Sequence, residues 1–388
     1  MAYSLRMGTA SQTSIPSLQY RWLRTVDESL GAMLESIHAA RHSVRLEMYI
    51  FTASPVGERF RDALTQAASR GVQVKVLLDA WGSMPLSDRF WESLHAAGGQ
   101  VRWFNPLSLG RCGIRDHRKL LVCDESLAFV GGFNISSEYQ GDGVTRGWCD
   151  LGLRVEGELA QLLSESFETL FALADFKHRR FARFRKSVAQ RIISTPAGQL
   201  ILAGPGHDRR FLKSMLLNDV RRSKSIRIVA AYFLPLRPIR RALVKAARRG
   251  NRVQIVVGAK SDVPFLLLAC RRFYGSFLRA GIEIYEYQPQ ILHAKLVIMD
   301  NTTYVGSANL DRRSFVANYE LLLRLTHPEI SREAAEIFEG ILGHCQRVEA
   351  RVWRKSRSFW GKLMETWAFF FLARFDPSVA RRQLRKLR

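Results

Sequence analysis

The chain has 388 residues, which is enough for two domains or for one large body with internal symmetry. Its 59 lysines and arginines against 35 aspartates and glutamates give a formal net charge of +24, which predicts contact with a polyanion, either nucleic acid or an anionic membrane surface. The cysteines form no C-x-x-C motif, which argues against a disulfide framework or a zinc site and favours small buried side chains in a reducing compartment. They are Cys112, Cys123, Cys149, Cys270 and Cys345.

The sequence gives no sign of a targeting or membrane-spanning segment. Residues 1–16 are polar and rich in serine and threonine, without a basic stretch leading into an apolar run, so we expect no signal peptide. Apolar residues never run uninterrupted for the length that a spanning helix needs, so we expect no transmembrane helix.

The predicted elements of the first half recur in the same order in the second half. Each half has an apolar strand, then a helix that ends before a glycine, Gly71 or Gly250, and then a second apolar strand. Strands alternating with such helices predict βαβ units, and therefore a mixed, mostly parallel sheet with helices outside. The matched segments are strands 44–51 and 226–233, helices 57–69 and 237–249, and strands 72–78 and 253–257.

This duplication predicts an α/β fold made of two similar lobes. Proline and glycine cluster in residues 195–206, which indicates the boundary between the lobes. We therefore expect an N-terminal lobe at 1–195, a C-terminal lobe at 196–350 and a basic amphipathic segment at 351–388.

Each half then contains an H-x-K-x4-D motif followed by G-[GS]-x-N. Residues two apart on a strand share a face, so each histidine and lysine are expected to project together into one cleft. The aspartates are typical of the turn that follows, and the glycines allow backbone amides to approach a phosphate oxygen closely. The motif residues are His117, Lys119, Asp124, Gly131, Gly132 and Asn134 in the first half, and His293, Lys295, Asp300, Gly306, Ser307 and Asn309 in the second.

These residue types suit phosphodiester chemistry. A phosphodiester is an anion that repels nucleophiles, so lysine and asparagine donors directed at its oxygens lower the barrier to attack. One histidine can attack phosphorus while the other protonates the departing alkoxide and later deprotonates the incoming alcohol. The scheme needs no metal or other cofactor, and the sequence offers no acidic cluster that resembles a two-metal site. A single copy of the motif is a weak signal, whereas two copies at matching places predict one shared site.

The chain resembles the phospholipase D superfamily over nearly its whole length, and more narrowly its cardiolipin synthase branch, in the short form without an N-terminal membrane hairpin. The resemblance is carried by segments 115–119, 128–135, 306–315 and 318–320. It implies two lobes related by a pseudo-twofold axis, with one active site at their interface. It also implies that His117 is the nucleophile and His293 the general acid and base, roles that the residues themselves do not distinguish.

The resemblance further implies a set of supporting residues. Lys119, Lys295, Asp124 and Asp300 complete the catalytic motifs, although both aspartates are interpreted mainly as turn residues near the lysines. Substrate phosphate would be bound by Asn134, Asn309, Ser307 and Gly132. Asp150 and Glu320 stand at corresponding places and look like carboxylates that orient the two histidines; the alternative is that they are ordinary surface acids. Tyr49 and Tyr232 could line the cleft, but we interpret them as buried strand residues.

Two apolar stretches favour a lipid substrate over nucleic acid. Residues 359–372 are rich in tryptophan and phenylalanine and are flanked by basic residues, including the tail 381–388, a pattern typical of a helix that lies in a membrane interface. Residues 263–278 offer a possible entry surface for acyl chains. Either stretch could instead be an ordinary core helix.

Three functions therefore compete. The first is transfer of a phosphatidyl group between two phosphatidylglycerol-like lipids, with phosphatidylethanolamine or another alcohol as a further acceptor, giving cardiolipin. The second is hydrolysis of phospholipids or of nucleic acid, and the third is binding without catalysis, which both intact motifs oppose. We expect a peripheral protein of a bacterial-type inner membrane, with phospholipids and an anionic surface rather than nucleic acid as partners; the oligomeric state stays open.

Overall fold

The computed structural model describes residues 13–15, 18–105, 114–174, 191–204 and 210–372. Several residues used above lie outside these ranges, namely the N-terminal segment before residue 13, Cys112 and the basic tail 381–388. The described residues form two α/β lobes, each built on a mixed sheet that is flanked by helices.

The first lobe contains an eight-stranded sheet. Its strands are β1 (Thr13–Ile15), β2 (Leu18–Leu23), β3 (Ser43–Met48), β4 (Gln73–Asp79), β5 (Gln100–Phe104), β7 (Leu120–Cys123), β8 (Leu127–Gly131) and β9 (Gly152–Glu156), and a short strand β6 (Arg115–Asp116) precedes β7. Its helices are α1 (Val26–Ala39), α2 (Pro55–Ser69), α3 (Glu92–Ala96) and α4 (Glu158–Leu173), with a 3-10 turn at Asp88–Trp91. The strand order is β1-β2-β9-β8-β7-β3-β4-β5.

The second lobe repeats this plan. Its strands are β10 (Arg191–Thr195), β11 (Gly198–Ala203), β12 (Ser225–Ala230), β13 (Arg252–Gly258), β14 (Glu283–Tyr287), β15 (Lys295–Met299), β16 (Thr302–Gly306), β17 (Asn318–Thr326) and β18 (Cys345–Arg347). Its helices are α5 (Arg210–Arg222), α6 (Arg237–Arg248), α7 (Pro264–Arg271), α8 (Tyr274–Leu278), α9 (Arg312–Val316), α10 (Pro328–Leu342), α11 (Ala350–Ser356) and α12 (Phe359–Phe370). The order is β10-β11-β17-β16-β15-β12-β13-β14-β18, and β6 of the first lobe pairs with β17.

The prediction of two duplicated α/β lobes is confirmed, but the expectation of mostly parallel sheets is wrong. Only β3-β4-β5 and β12-β13-β14 run parallel, and the other neighbours along each strand order are antiparallel. The reason is local. The strand after each H-x-K segment turns back as a hairpin, β7-β8 or β15-β16, and a hairpin joins antiparallel strands without a crossover helix.

The boundary between the lobes also differs from the one predicted at residue 195. Thr195 pairs with Gly198 at the turn of the β10-β11 hairpin, and β11 pairs with β17 of the second sheet. A boundary at 195 would cut this hairpin, so the second lobe already includes Arg191–Thr195. The proline and glycine cluster that suggested the boundary forms in part a turn inside the second sheet.

A continuous apolar core joins the lobes. Leu120 and Val122 of β7 point into the same cluster of buried residues as Leu296 and Ile298 of β15. The alternate residues of each strand point to the opposite face, into a separate core beneath the helices of their own lobe. Strands buried on both faces explain the uninterrupted apolar runs after each lysine.

Candidate active site

Each motif histidine lies just before a strand rather than within one. His117 lies between β6 and β7, and Lys119 immediately precedes β7. His293 precedes β15, whose first residue is Lys295. The expectation that histidine and lysine share one strand face is therefore wrong. Instead, each ammonium donates to the carbonyl oxygen of its own histidine, at 2.7 Å from Lys119 Nζ and 2.5 Å from Lys295 Nζ.

Each histidine is held by a carboxylate of the other lobe. His117 Nδ1 lies 3.1 Å from Glu320 Oε2, and His293 Nδ1 lies 2.6 Å from Asp150 Oδ2. All four side chains are buried. A carboxylate that accepts a hydrogen bond from Nδ1–H fixes the tautomer in which Nε2 carries the lone pair. Asp150 and Glu320 therefore lie where orienting carboxylates were expected, and their exchange between lobes is a finding of the tertiary structure.

The backbone repeats this exchange. The amide of His117 donates to the carbonyl oxygen of Tyr319 at 3.0 Å, and the amide of His293 donates to that of Cys149 at 2.7 Å. Each acceptor is the residue immediately before the carboxylate that holds the same histidine. Next to His117, the parallel pairing of β6 with β17 adds further main-chain contacts between the lobes. Main chain and side chain therefore fix both histidines to the opposite lobe.

Burial shifts the protonation of the central groups. It lowers the pKa of His117 and of His293 to about 4, despite the neighbouring carboxylates. Burial also lowers the pKa of Lys119 to about 7, and the positive charge of Lys295 adds to this effect. The pKa of Lys295 is lowered by burial as well.

The two carboxylates stay ionised. Burial alone would raise the pKa of Asp150, but Lys295 and His293 outweigh it and leave that pKa below its ordinary value. Glu320 has a lowered pKa for the corresponding reason, since His117 and Lys119 outweigh its burial. Without substrate, the site therefore pairs two neutral imidazoles with two carboxylates.

Both histidines line one pocket of about 510 Å³ at the lobe interface. Aromatic rings pack on the imidazoles: Tyr49 lies 4.8 Å from His117 and Tyr139 lies 5.2 Å from His293, centroid to centroid. One wall is apolar and is built by residues 234–236 with Val263, Leu266, Phe369 and Leu372. The pocket therefore combines a polar floor with an apolar side.

The pocket contains residues that the sequence interpretation discounted or missed. Tyr49 and Tyr232 follow the ends of β3 and β12 and line the pocket, so their interpretation as buried strand residues is wrong. Tyr139, Arg237 and Arg240 also line it and were not predicted. The sequence did contain a signal for the two arginines: they are three residues apart on a predicted helix that follows a proline-containing loop.

The predicted phosphate-binding residues divide into two groups. Asn134 and Asn309 line the pocket, as expected for donors to substrate. Asn134 is fixed from behind, because its Oδ1 accepts the Ile50 amide at 3.1 Å and its Nδ2 donates to Tyr139 Oη at 2.7 Å. Asn309 Oδ1 is buried with no hydrogen-bond partner among the described residues.

Gly132 and Ser307 lie against the two orienting carboxylates, whereas the sequence predicted that they bind the substrate phosphate. Their amides donate to the carbonyl oxygens of Leu151 and Leu321 and so do not face a phosphate. A Cβ atom at Gly132 would lie 2.4 Å from Asp150 Oδ1, so glycine there makes room for that carboxylate. Ser307 Oγ donates to Glu320 Oε2 at 2.6 Å and fixes the other one.

The motif aspartates lie at the far ends of the strands, away from the histidines, so their position favours the turn interpretation over a catalytic role. Asp124 accepts the amides of Arg41, His42 and Ser43 at 2.7–3.0 Å, in a surface depression separate from the pocket. Asp300 accepts two amides in the same manner, from residues 224 and 225. Both have positive φ, 51° and 48°. They are turn residues that secure the start of β3 and β12, as the turn interpretation predicted.

The two lobes and the exchanged pairs of histidine and carboxylate define a two-histidine phosphodiester enzyme of the phospholipase D class. A family model described as "Cardiolipin synthase, PLD-like domain" matches residues 33–171 and 216–342. The chain belongs to this cardiolipin synthase family.

Individual relatives agree. Cardiolipin synthase B of Salmonella typhimurium is 32% identical over 370 residues, covering 93% of this chain and 89% of that protein. Cardiolipin synthase of Geobacillus thermodenitrificans is 30% identical over 355 residues, covering 88% and 68% respectively. The crystal structure of phosphatidylserine synthase from Haemophilus influenzae has a TM-score of 0.73 and covers 93% of this chain and 94% of that one; at 16% identity this likeness shows a shared fold.

Replacing Asp124 should affect stability rather than chemistry. Asp124→Ala removes the acceptor of three amides and places alanine at positive φ, so we expect the free energy of unfolding to fall by about 1–2 kcal/mol. Asp124→Asn, which tolerates this backbone and keeps an acceptor, should lose less. Denaturant unfolding and the turnover per folded molecule would be measured together. A large loss of turnover at unchanged stability would restore the catalytic role.

The alkaline limb of the pH profile should report Lys119. Because its pKa is lowered to about 7, its ammonium charge is present below that pH and is lost above it. We therefore expect kcat/KM to fall as pH rises through about 7, since the charge that neutralises the phosphodiester disappears. Lys119→Arg keeps a permanent charge and should shift the fall to higher pH. A wild-type profile that stays flat up to about pH 9 would contradict this assignment.

Proposed function

We propose that this protein transfers a phosphatidyl group from one phosphatidylglycerol to a hydroxyl of a second, giving cardiolipin and glycerol. The observation that carries the proposal is the pair of histidines facing one pocket, each oriented by a buried carboxylate of the other lobe. Membership of the cardiolipin synthase family supports the choice of lipid. Another lipid alcohol, such as phosphatidylethanolamine, is the alternative acceptor.

In the first step, His117 Nε2 attacks phosphorus of the donor lipid. A P–N bond forms, the P–O bond to the headgroup glycerol breaks, and its electron pair leaves with the glycerol oxygen. His293 gives that oxygen a proton. Although burial lowers the pKa of His293 to about 4, a phosphodiester anion bound beside it favours the imidazolium. Lys119 and Lys295 oppose the negative charge that develops on the phosphoryl oxygens.

In the second step, the acceptor lipid takes the place of glycerol. The neutral His293 removes the proton from the acceptor hydroxyl, a new P–O bond forms, and the P–N bond to His117 breaks. The protons balance over the two steps, since the one given to glycerol is replaced by the one taken from the acceptor. The catalytic residues return to their starting states.

Transfer competes with hydrolysis at the phosphohistidine. The apolar wall, which includes Phe369 of α12, lies beside the histidines and would be covered by acyl chains when a lipid is bound. A covered pocket excludes water while the intermediate waits for an alcohol. This feature favours transfer over hydrolysis to phosphatidic acid.

The test is product analysis with phosphatidylglycerol vesicles in the presence of EDTA. We expect wild type to form cardiolipin and both His117→Ala and His293→Ala to lose at least about 10³-fold in rate. Phosphatidic acid as the sole product of wild type would identify a hydrolase. Loss of cardiolipin formation in EDTA would contradict the metal-independent scheme.

The two histidine roles are separable with a nitrophenyl phosphodiester, whose leaving group departs without a proton. In His293→Ala the intermediate should form but decay slowly, because no base activates the second nucleophile. Mass spectrometry should then find the adduct on His117. An adduct on His293 in the matched His117→Ala variant would reverse the assignment.

We also propose that the protein binds the membrane peripherally through α12. None of the described helices is both long and apolar enough to cross a membrane. On α12, Phe359, Trp360 and Trp367 are 74%, 71% and 68% exposed, while Phe369 packs on Phe273 of the second lobe with ring centroids 5.2 Å apart. An exposed aromatic face on a helix that also lines the pocket is suited to an anionic inner-membrane surface.

Substitution tests this surface better than deletion, because α12 also packs on the lobe. Phe359, Trp360 and Trp367 changed together to serine should weaken binding to phosphatidylglycerol vesicles by on the order of 100-fold, because three large apolar side chains no longer enter the interface. Phe211→Ser, at an exposed phenylalanine of α5, is the control. Vesicle sedimentation measures both. Unchanged binding of the triple variant would refute the membrane role of α12.

A further inference from the structure

Helix α6 presents a row of cations on one face and apolar residues on the other. Ile239, Leu243 and Ala246 are buried, as expected for a helix that packs on the sheet. The opposite face carries basic residues at intervals of one helical turn, which places them side by side. They are Arg237, Arg240, Arg241, Lys245 and Arg248.

These cations line a second cavity beside the active site. A groove of about 600 Å³ lies along α6 and is lined by its basic residues together with Ser276 and Phe277 of α8. Arg237 and Arg240 line both this groove and the pocket that contains the histidines. The two spaces therefore meet at these two guanidinium groups.

The positive charge at this junction has no paired carboxylate in the part of the chain that the structure describes. Among the described residues, no carboxylate forms an ion pair with any of the five α6 cations. The pocket wall contains two aspartates. Asp262 accepts from Tyr232 Oη at 2.7 Å and Asp311 accepts the amide of Ser314 at 2.7 Å, and neither forms an ion pair with α6. The described residues that line the groove include no carboxylate, so an anion from outside can balance its charge.

Arg240 is held in place for such a ligand. Its guanidinium lies 4.1 Å from the ring centroid of Phe273, and the side chain is half-buried. Burial and the neighbouring charges of Arg237, Arg272 and Arg241 lower its pKa. A fixed guanidinium among like charges gains most from a phosphate, which accepts hydrogen bonds from it in a fork geometry.

We infer that Arg237 and Arg240 bind the phosphodiester of the acceptor lipid, the phosphate that is not cleaved, with the α6 groove receiving the rest of its polar part. The inference rests on the proposed function. The transferred phosphate already has Lys119 and Lys295 at the histidines, so a second phosphate one glycerol unit away needs cations of its own. Such a subsite selects an anionic lipid over a free alcohol or water.

The experiment compares two acceptors for one intermediate. Full-length protein in phosphatidylglycerol vesicles is given labelled free glycerol. Cardiolipin reports transfer to a lipid, and labelled phosphatidylglycerol reports transfer to an acceptor without phosphate. The variant is Arg237→Gln with Arg240→Gln, and the control is Arg59→Gln with Arg89→Gln, two exposed arginines of the first lobe. Thermal unfolding verifies that each protein is folded, and vesicle sedimentation measures membrane binding.

We expect the ratio of cardiolipin formed to glycerol exchanged to fall about 10- to 100-fold in the variant, which corresponds to the loss of about one charge-assisted hydrogen bond, and to be unchanged in the control. Lysine at both positions keeps the charge and should recover part of the ratio. An unchanged ratio would overturn the subsite and leave the proposed function intact. Parallel loss of both products together with vesicle binding would identify the groove as a membrane attachment surface and also overturn it.

A different result of the same experiment would contradict the proposed function itself. Wild type that exchanges glycerol but forms no cardiolipin would show an intact phosphohistidine without a lipid acceptor. That result would remove the transferase proposal, and the acceptor subsite with it.

Discussion

In neither lobe of this protein is the motif histidine oriented by a carboxylate of the same lobe. The carboxylate that fixes His117 comes from β17 of the second lobe, and the one that fixes His293 precedes β9 of the first. An imidazole free to rotate would expose either nitrogen and either tautomer to the substrate. The two lobes must therefore dock correctly before either histidine can act, so that folding of the interface and assembly of the active site are the same event.

Burial determines the protonation states of the ionisable groups at this interface. Two carboxylates and two lysines are placed in surroundings of low dielectric, where unpaired charge is costly and paired charge interacts strongly. The shared apolar core around β7 and β15 holds the lobes together against that cost. The same burial keeps both imidazoles neutral until a phosphodiester arrives. In the proposed mechanism, the bound phosphodiester supplies the negative charge that His293 needs to become an acid.

The second lobe carries the features that set the pocket apart from a symmetric duplication. The apolar wall, the cationic face of α6 and the aromatic helix α12 all belong to this lobe and meet at the same opening. A lipid has an apolar part and an anionic part, and the opening presents a matching surface for each. The proposed chemistry follows the pseudo-twofold symmetry, whereas the proposed recognition of the substrate departs from it.

Motif residues and periodicity in the sequence were enough to predict two α/β lobes and to single out the two histidines and the lysines. The orienting role of Asp150 and Glu320 was predicted only from the resemblance to the family. The parallel part of each sheet was overestimated, because the βαβ pattern read from the sequence extends over only three strands of each sheet. The sequence also could not separate Gly132, which makes room for a carboxylate, from a glycine that cradles phosphate. The exchange of carboxylates between lobes and the junction at Arg240 join residues far apart in the chain. Only tertiary packing decides such contacts, since local pattern carries no information about which distant surfaces meet.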